Sequence, residues 1–275
     1  MESVHYVNAL SIDLESWVHR DNIITDRKEV DNGFIVKSTR EILNILNRYN
    51  AKATFFIVSE IFEWYPELIY EIKNRGFEIA YHTYSHKIIT SDKILNEEIK
   101  KSEYFLKKFK PIGFRASKIF LNENCLKILA KHGFKYDSSI YAPLGPRVTH
   151  SGIIELPVST YNLIGKPKLS FPKPLSYSLF FKEIPFGSGY MLGILGSKIS
   201  HFIKNNNKKG IPTFMFVHPW QIIEVPKSKA TNFFRNGISS IPYYINRKRS
   251  LEKLLEKYKF SNYCDVITDL GLLEK

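Results

Sequence analysis

Short apolar runs alternate with amphipathic stretches of helical period along this 275-residue chain, and that alternation restricts the fold more than any other feature. Residues 4–12 read as a buried strand that ends at Asp13. Over 34–49, Ile35, Thr39, Ile42, Leu43, Ile45, Leu46 and Tyr49 recur at helical spacing. Residues 53–58 are β-branched and aromatic and predict a strand. Pro66 opens a helix that Gly76 closes. Strand-like residues 77–81 lead to a long amphipathic helix over 92–109 with Asp92 as its N-cap. A brief strand follows at 112–114, then a helix over 123–132 stopped by Gly133. Further strands are expected at 134–136, 153–158 and 213–217, and helices at 188–204 and 249–259. Residues 141–187, rich in Pro, Gly, Tyr and Phe, lack a clear helix, and 221–247 form a second irregular excursion. The pattern predicts an α/β protein of βαβ units with a mostly parallel sheet or barrel, one domain with long irregular loop insertions.

The composition is that of an ordinary globular chain, with 44% hydrophobic and 24% charged residues, which excludes a disordered or fibrous protein. Cys125 and Cys264 are too few for a disulfide framework and fit no zinc-ligand spacing. No apolar run reaches the length of a membrane span. The N-terminus lacks a basic region followed by an apolar stretch, so the expected location is the cytoplasm. Lys plus Arg exceed Asp plus Glu by 40 − 27 = +13. Such charge suits nucleic acid, an anionic membrane surface, a phosphate-bearing substrate, or simply a lysine-rich composition. The basic stretches are scattered and carry no nucleic-acid-binding signature, so no specific nucleic-acid partner is expected.

In parallel α/β architectures the reactive groups sit at the C-terminal ends of the strands. Polar residues follow five of the strands here: Asp13-Leu14-Glu15-Ser16-Trp17, His82-Thr83-Tyr84-Ser85-His86, Arg115-Ala116-Ser117, Asp137-Ser138-Ser139 and His218-Pro219-Trp220. Three carboxylates, three histidines and an arginine are thereby placed at one rim. His82 and His86 are four apart, which on a helical turn presents both imidazoles on one face, a spacing that suits one zinc-type ion. A hydrogen-bonded surface pair has the same spacing. Glu15 or Asp13 can supply a third ligand, leaving an open position for water as in a catalytic site.

These residues resemble the motifs of the polysaccharide deacetylase superfamily, the carbohydrate esterase family 4-like proteins with a NodB homology domain. His82-Thr83-Tyr84-Ser85-His86 is similar to the family's His-Thr-x-x-His metal motif, and Asp13-Leu14-Glu15-Ser16 to the Asp-Val-Glu-Asp form of one branch. Ala53-Thr54-Phe55-Phe56, Gly113-Phe114-Arg115-Ala116, Tyr136-Asp137-Ser138-Ser139, Gly187-Ser188-Gly189-Tyr190 and Phe216-Val217-His218-Pro219-Trp220 follow in family order. The resemblance implies a distorted (β/α) barrel, with a motif-bearing core at about 4–222 and a C-terminal extension at about 223–275. It implies hydrolysis of an N-acetyl or similar acyl group on a sugar. It implies a divalent metal, zinc foremost, held by Glu15, His82 and His86, with Asp13 as general base, His218 as general acid and Arg115 orienting Asp13. Asp137 would add a supporting hydrogen bond and Thr83 would brace the metal loop. A backbone N–H near Lys118 would meet the oxyanion. Trp220, Trp17 and Tyr141 would wall a sugar ring, or else pack the core. The chain departs from the pattern at Ser16, where the branch carries an acid, at Ser117, where it carries proline, and at Gln221, where it often carries Glu.

Two functions from different classes follow. The first is a metal-dependent deacetylase acting on an amino sugar, expected to be a lipid- or nucleotide-linked intermediate of glycan assembly at the inner membrane face. The second is a glycan-binding protein that kept the fold without the chemistry, for which Ser16 and Ser117 are the sequence support. A nucleic-acid binder rests on charge alone.

Overall fold

The computed structural model describes residues 7–225, 242 and 245–274. Its strands are β1 (Asn8–Leu14), β2 (Thr54–Ile57), β3 (Glu78–Tyr81), β4 (Gly113–Phe114), β5 (Tyr136–Asp137), β6 (Tyr141–Ala142), β7 (Arg147–Val148), β8 (Ile154–Glu155), β9 (Val158–Ser159), β10 (Tyr161–Asn162), β11 (Glu183–Ile184), β12 (Phe214–Val217) and β13 (Phe260–Ser261). The main sheet runs β12-β1-β2-β3-β4-β5-β8-β7, with β13 paired to the start of β1. Every pairing is parallel except β7 with β8. Helices connect the parallel strands, as parallel pairing requires. The result is the expected α/β architecture, a sheet curled into an incomplete barrel.

Alternation along each strand separates two cores. Leu10, Ile12 and Leu14 of β1, with Phe55, Ile57, Met215 and Val217, pack outward against the helices. Ala9, Phe56, Ala80, Tyr136, Phe214 and Tyr263 fill the inside. The same register turns Ser11 and Asp13 of β1, and Phe216 followed by His218, toward the interior, so strand period alone aims the polar groups at one end. β12 is joined to β9 through a loop: Phe216 N donates to Gly187 O and Gly187 N to Ser159 O, each at 2.9 Å. A Cβ on Gly187 would lie 2.4 Å from Phe214 O, so this backbone approach requires glycine.

Several expectations change in detail. The helix over 92–109 breaks at Ser102 into Asp92–Lys101 and Glu103–Phe109, and its N-cap is Ser91 rather than Asp92. Ser102 Oγ bonds Glu98 O, Ser59 Oγ and Tyr81 OH, which draws the chain inward at that point. Residues 153–158 form two strands, because Pro157 between them has no N–H for a ladder. The helix over 188–204 becomes Gly189–Leu195, a 3₁₀ turn at Gly196–Ile199 and Ser200–Lys208. Within 141–187 there are short strand pairs and one helical turn, Tyr177–Phe180. Much of 221–247 lies outside the described residues, as does His5 of the first expected strand. The expected C-terminal extension holds helix Lys248–Lys257, then β13 and helix Tyr263–Asp269, which pack into the sheet and its inner core. Among the described residues no helix is long and apolar enough to cross a membrane.

Candidate metal centre and catalytic cleft

At the C-terminal end of the sheet, Glu15, His82 and His86 each offer a ligand atom within 4.8 Å of the others. Glu15 follows β1, and its N–H folds back onto Asp13 O at 2.9 Å. His82 follows β3. His86 comes from a loop and not from the helical turn anticipated: Thr83 and His86 both adopt left-handed φ, 67° and 60°. That loop is held by Thr83, whose Oγ1 accepts from His86 N at 3.1 Å and pairs with Ser117 Oγ at 3.2 Å. Glu98 completes the brace by accepting from the N–H groups of Tyr84 and Ser85.

The ligand set has the chemistry of a cation site. His82 Nδ1 bonds Arg115 O at 2.7 Å, which leaves Nε2 for the cleft, as in metal-bound imidazoles. Burial, working against the charges of Asp13 and Glu15, lowers His82 to about 4, so the ring is neutral near pH 7. Burial alone would raise the Glu15 carboxyl, but His86 and His218 outweigh it and hold it well below the usual carboxylate range. Glu15 Oε2 lies 3.0 Å from His86 Nε2, yet it is buried with no aligned hydrogen-bond donor. An anionic oxygen orphaned beside two imidazoles fits a divalent ion of the transition series.

Beneath the ligands, Arg115 is wholly buried and pairs through Nη1 with Asp13 Oδ1. Its other donors reach Ser11 Oγ (2.9 Å), Ser138 O and Oγ (3.1 and 2.9 Å) and Tyr263 OH (2.8 Å). The guanidinium lies 4.1 Å from the Phe56 ring centroid and 5.1 Å from that of Phe216. Asp137 stands one layer further out. It accepts from Ser139 N and Oγ, and Ser139 Oγ accepts from Ala116 N, so it fixes the segments on both sides of Arg115. Its register partner is Glu155, also fully buried. Burial pushes Asp137 up to about 6, and burial together with Asp137 pushes Glu155 well above the ordinary range.

His218 closes the opposite side. Its Nε2 lies 3.2 Å from Glu15 Oε1, and its ring stacks on Trp220 with centroids 4.4 Å apart. Gln221 Nε2 donates to Gly189 O at 2.6 Å, which turns the amide oxygen toward His218 N (3.0 Å) and Nδ1 (3.2 Å). His218 Nδ1 therefore donates and Nε2 faces the cleft.

A cleft of about 300 Å³ opens over this cluster, lined by Asp13, Glu15, His82, His86 and His218, with Lys118, Tyr141 and Trp220 on its walls. Lys118 sits in a left-handed turn at φ 56°. Trp17, anticipated as a possible sugar wall, is 2% exposed and packs with Val18 and Phe34 outside the cleft lining. His19 is buried; it accepts from Ser16 N, contacts Glu60 at 2.7 Å and stacks on Trp64. Ser16, in place of the branch's acid, donates to Asp31 at 2.5 Å. Arg20 also lines the cleft, with its guanidinium 5.3 Å from the Trp220 centroid. Neither Arg20 nor Tyr263 was singled out from sequence, since no motif contains them.

Residues 29–136 match the polysaccharide deacetylase family. Over 76 residues the chain is 38% identical to a peptidoglycan-N-acetylglucosamine deacetylase of Bacillus cereus, covering 26% of this chain and 28% of that protein. A second protein of that description from Bacillus cereus is 29% identical over 101 residues, 35% of this chain and 47% of the relative. The matched stretch thus spans less than half of either relative. A solved structure from Mycobacterium smegmatis assigned to the polysaccharide deacetylases superposes with TM-score 0.61 at 16% identity, covering 98% of this chain and 95% of that one. A carbohydrate esterase family 4 pseudoenzyme from Bacillus anthracis superposes with TM-score 0.51 at 12% identity, covering 97% and 66%. At such identities the likeness is one of fold. Motif order, fold and sequence relatives point the same way: residues 29–136 are similar to the polysaccharide deacetylase family, and the fold is that of solved structures assigned to it.

Proposed function

We propose that this chain is a metal-dependent deacetylase that hydrolyses the N-acetyl group of an amino sugar. The observation that carries the reading is the convergence of Glu15, His82 and His86 within 4.8 Å, beside an Asp13 clamped by Arg115. Because a pseudoenzyme shares the fold, the fold does not decide the matter and the side chains must. Here residues suited to hold an ion, to act as base and to act as acid lie side by side, which supports chemistry over a glycan binder without it.

Glu15, His82 and His86 would hold the ion, with zinc the best match to two imidazoles and one carboxylate. When bound, such an ion lowers the pKa of a water and polarises the acyl oxygen. Asp13 takes the proton of the attacking water, and Arg115, paired with Oδ1, orients the carboxylate that does so. The Lys118 N–H donates to the oxyanion that develops on the acyl carbon. His218 delivers a proton from Nε2 to the departing amine, with Nδ1 held by Gln221. Trp220 and Tyr141 line the cleft but are each 2% exposed, so they shape its apolar wall rather than offer an open face to a sugar ring. The net charge of +13 favours a substrate bearing phosphate, such as a nucleotide- or lipid-linked sugar at the inner membrane face.

The test is acetate release from soluble N-acetylglucosamine oligomers and from a nucleotide diphosphate-linked acetamido sugar, with metal content measured on the same sample. Turnover that a chelator removes and zinc restores supports the reading. A protein carrying stoichiometric zinc that releases no acetate from either substrate class refutes it.

A further inference from the structure

Nine large apolar side chains are exposed among the described residues, and four come from one excursion: Leu163 (48%), Ile164 (70%), Tyr177 (81%) and Phe181 (77%). The fold gathers them. β10 and β11 pair antiparallel, and beyond them the N–H groups of Leu163 and Ile164 both donate to Lys182 O, at 2.8 and 3.4 Å. Leu163 and Ile164 therefore lie against the stretch that carries Phe181. Tyr177 and Phe181 are four apart across the helical turn Tyr177–Phe180 and its right-handed C-cap, which puts them on one face. The other face of that turn is tied to the cleft. Leu179 is buried against Ile119, Tyr141 and Phe216, and Leu175 lines the cleft itself. The exposed side chains thus form the outer side of the cleft rim.

The exposed charge within this excursion has one sign. Between residues 161 and 184 the chain carries four lysines and a single acid, Glu183. Glu183 is buried and paired with Lys173, so Lys166, Lys168 and Lys182 stand exposed beside the apolar cluster with no acid from this excursion to offset them. We propose that this rim docks on an anionic lipid bilayer, with Leu163, Ile164, Tyr177 and Phe181 entering the interface and the three lysines meeting the headgroups. An interfacial cluster of aliphatic and aromatic side chains ringed by lysine satisfies both halves of such a surface. A glycan platform fits less well: Leu163 and Ile164 offer no flat face to a sugar, and a neutral polymer gives the lysines no partner. A membrane seated here would lie beside the mouth of the cleft.

The proposal is separate from the chemistry assigned to the cleft and is tested without turnover. The full chain is sedimented with vesicles of phosphatidylcholine alone and of equal parts phosphatidylcholine and phosphatidylglycerol, at low and high salt. The expected result is binding to the anionic vesicles only, weakened by salt. Ile164→Ser/Phe181→Ser and, separately, Lys166→Glu/Lys168→Glu should each weaken it about tenfold or more. Both variants should keep the wild-type melting temperature and the same acetate release from a soluble substrate. Equal binding to both vesicle types, binding to neither, or anionic binding that Ile164→Ser/Phe181→Ser leaves unchanged overturns the proposal. So does retention on an insoluble glycan polymer that the apolar variant loses while vesicles are ignored. Should the apolar variant fail to fold, the lysine variant decides alone. A wild type that binds anionic vesicles yet releases no acetate refutes the cleft reading and leaves this one standing.

Discussion

Arg115 and Asp13 form an ion pair in which the arginine is fully enclosed and the carboxylate is 2% exposed, with one face of the carboxylate left to the cleft. Burying two charges is costly, and it is tolerated here because Ser11, Ser138 and Tyr263 occupy the remaining guanidinium donors. Arg115→Met would strand a buried carboxylate, so it should cost about 3–5 kcal/mol of stability. Thermal or urea unfolding measures the loss. Asp13→Asn/Arg115→Met should recover a large part of it, because the orphaned charge is gone. If the double variant is no more stable than Arg115→Met, the pair is not what holds this region together.

The ligand and base assignments separate in a two-readout experiment. His82→Ala, His86→Ala and Glu15→Ala should each lose bound zinc and turnover together. Asp13→Asn should keep zinc and lower kcat by about 10²–10⁴. Metal analysis beside an acetate assay reads both. Loss of zinc from Asp13→Asn with retention in Glu15→Ala would reverse the two roles.

Glu155 gives a prediction about pH. Its folded pKa lies well above the unfolded value, because it is buried beside Asp137. The folded state therefore binds a proton that the unfolded chain releases. The contribution to stability is complete below the ordinary glutamate range and is lost as pH rises toward the folded pKa. Glu155→Gln keeps the size of the neutral side chain and removes that decline. The variant should melt several degrees above wild type at pH 8 and at the same temperature near pH 4. Equal melting temperatures at pH 8 would mean that the carboxyl is not held protonated in the fold.

The sequence exposed the parts of this site that obey a period or a motif. Strand alternation put Asp13, Arg115 and His218 at strand ends, and the structure gathers them with Glu15, His82 and His86 at one rim. What stayed hidden depends on long-range register or local backbone geometry. Four-residue spacing suggested a helix at His82–His86, but left-handed φ at Thr83 and His86 is a property of the folded loop that no periodicity encodes. Tyr263 reaches Arg115 only because β13 pairs with β1 across about 250 residues, and a two-residue strand leaves no hydrophobic pattern to read. Trp17 has two readings, a sugar wall or a core residue, and no motif chooses between them. The capped turn at Ser16–Arg20 rotates it against Val18 and Phe34.

Gly189 tests whether His218 must be oriented as well as present. A Cβ there would stand 2.5 Å from Gln221 Oε1 and 3.1 Å from His218 Nδ1. The position is helical, so alanine suits the backbone and the strain falls on the Gln221 amide. That amide is clamped between Gly189 O and His218, and it cannot retreat without releasing the imidazole. Gly189→Ala should therefore lower kcat by about 10–100-fold while zinc content and KM stay near wild type. Gln221→Ala frees the same imidazole by another route and should give a loss of similar size. Because both variants remove one constraint, Gly189→Ala/Gln221→Ala should be no worse than the poorer single variant. Losses that multiply in the double variant would place Gly189 and Gln221 in separate roles and remove the case for Gln221 as the group that orients His218.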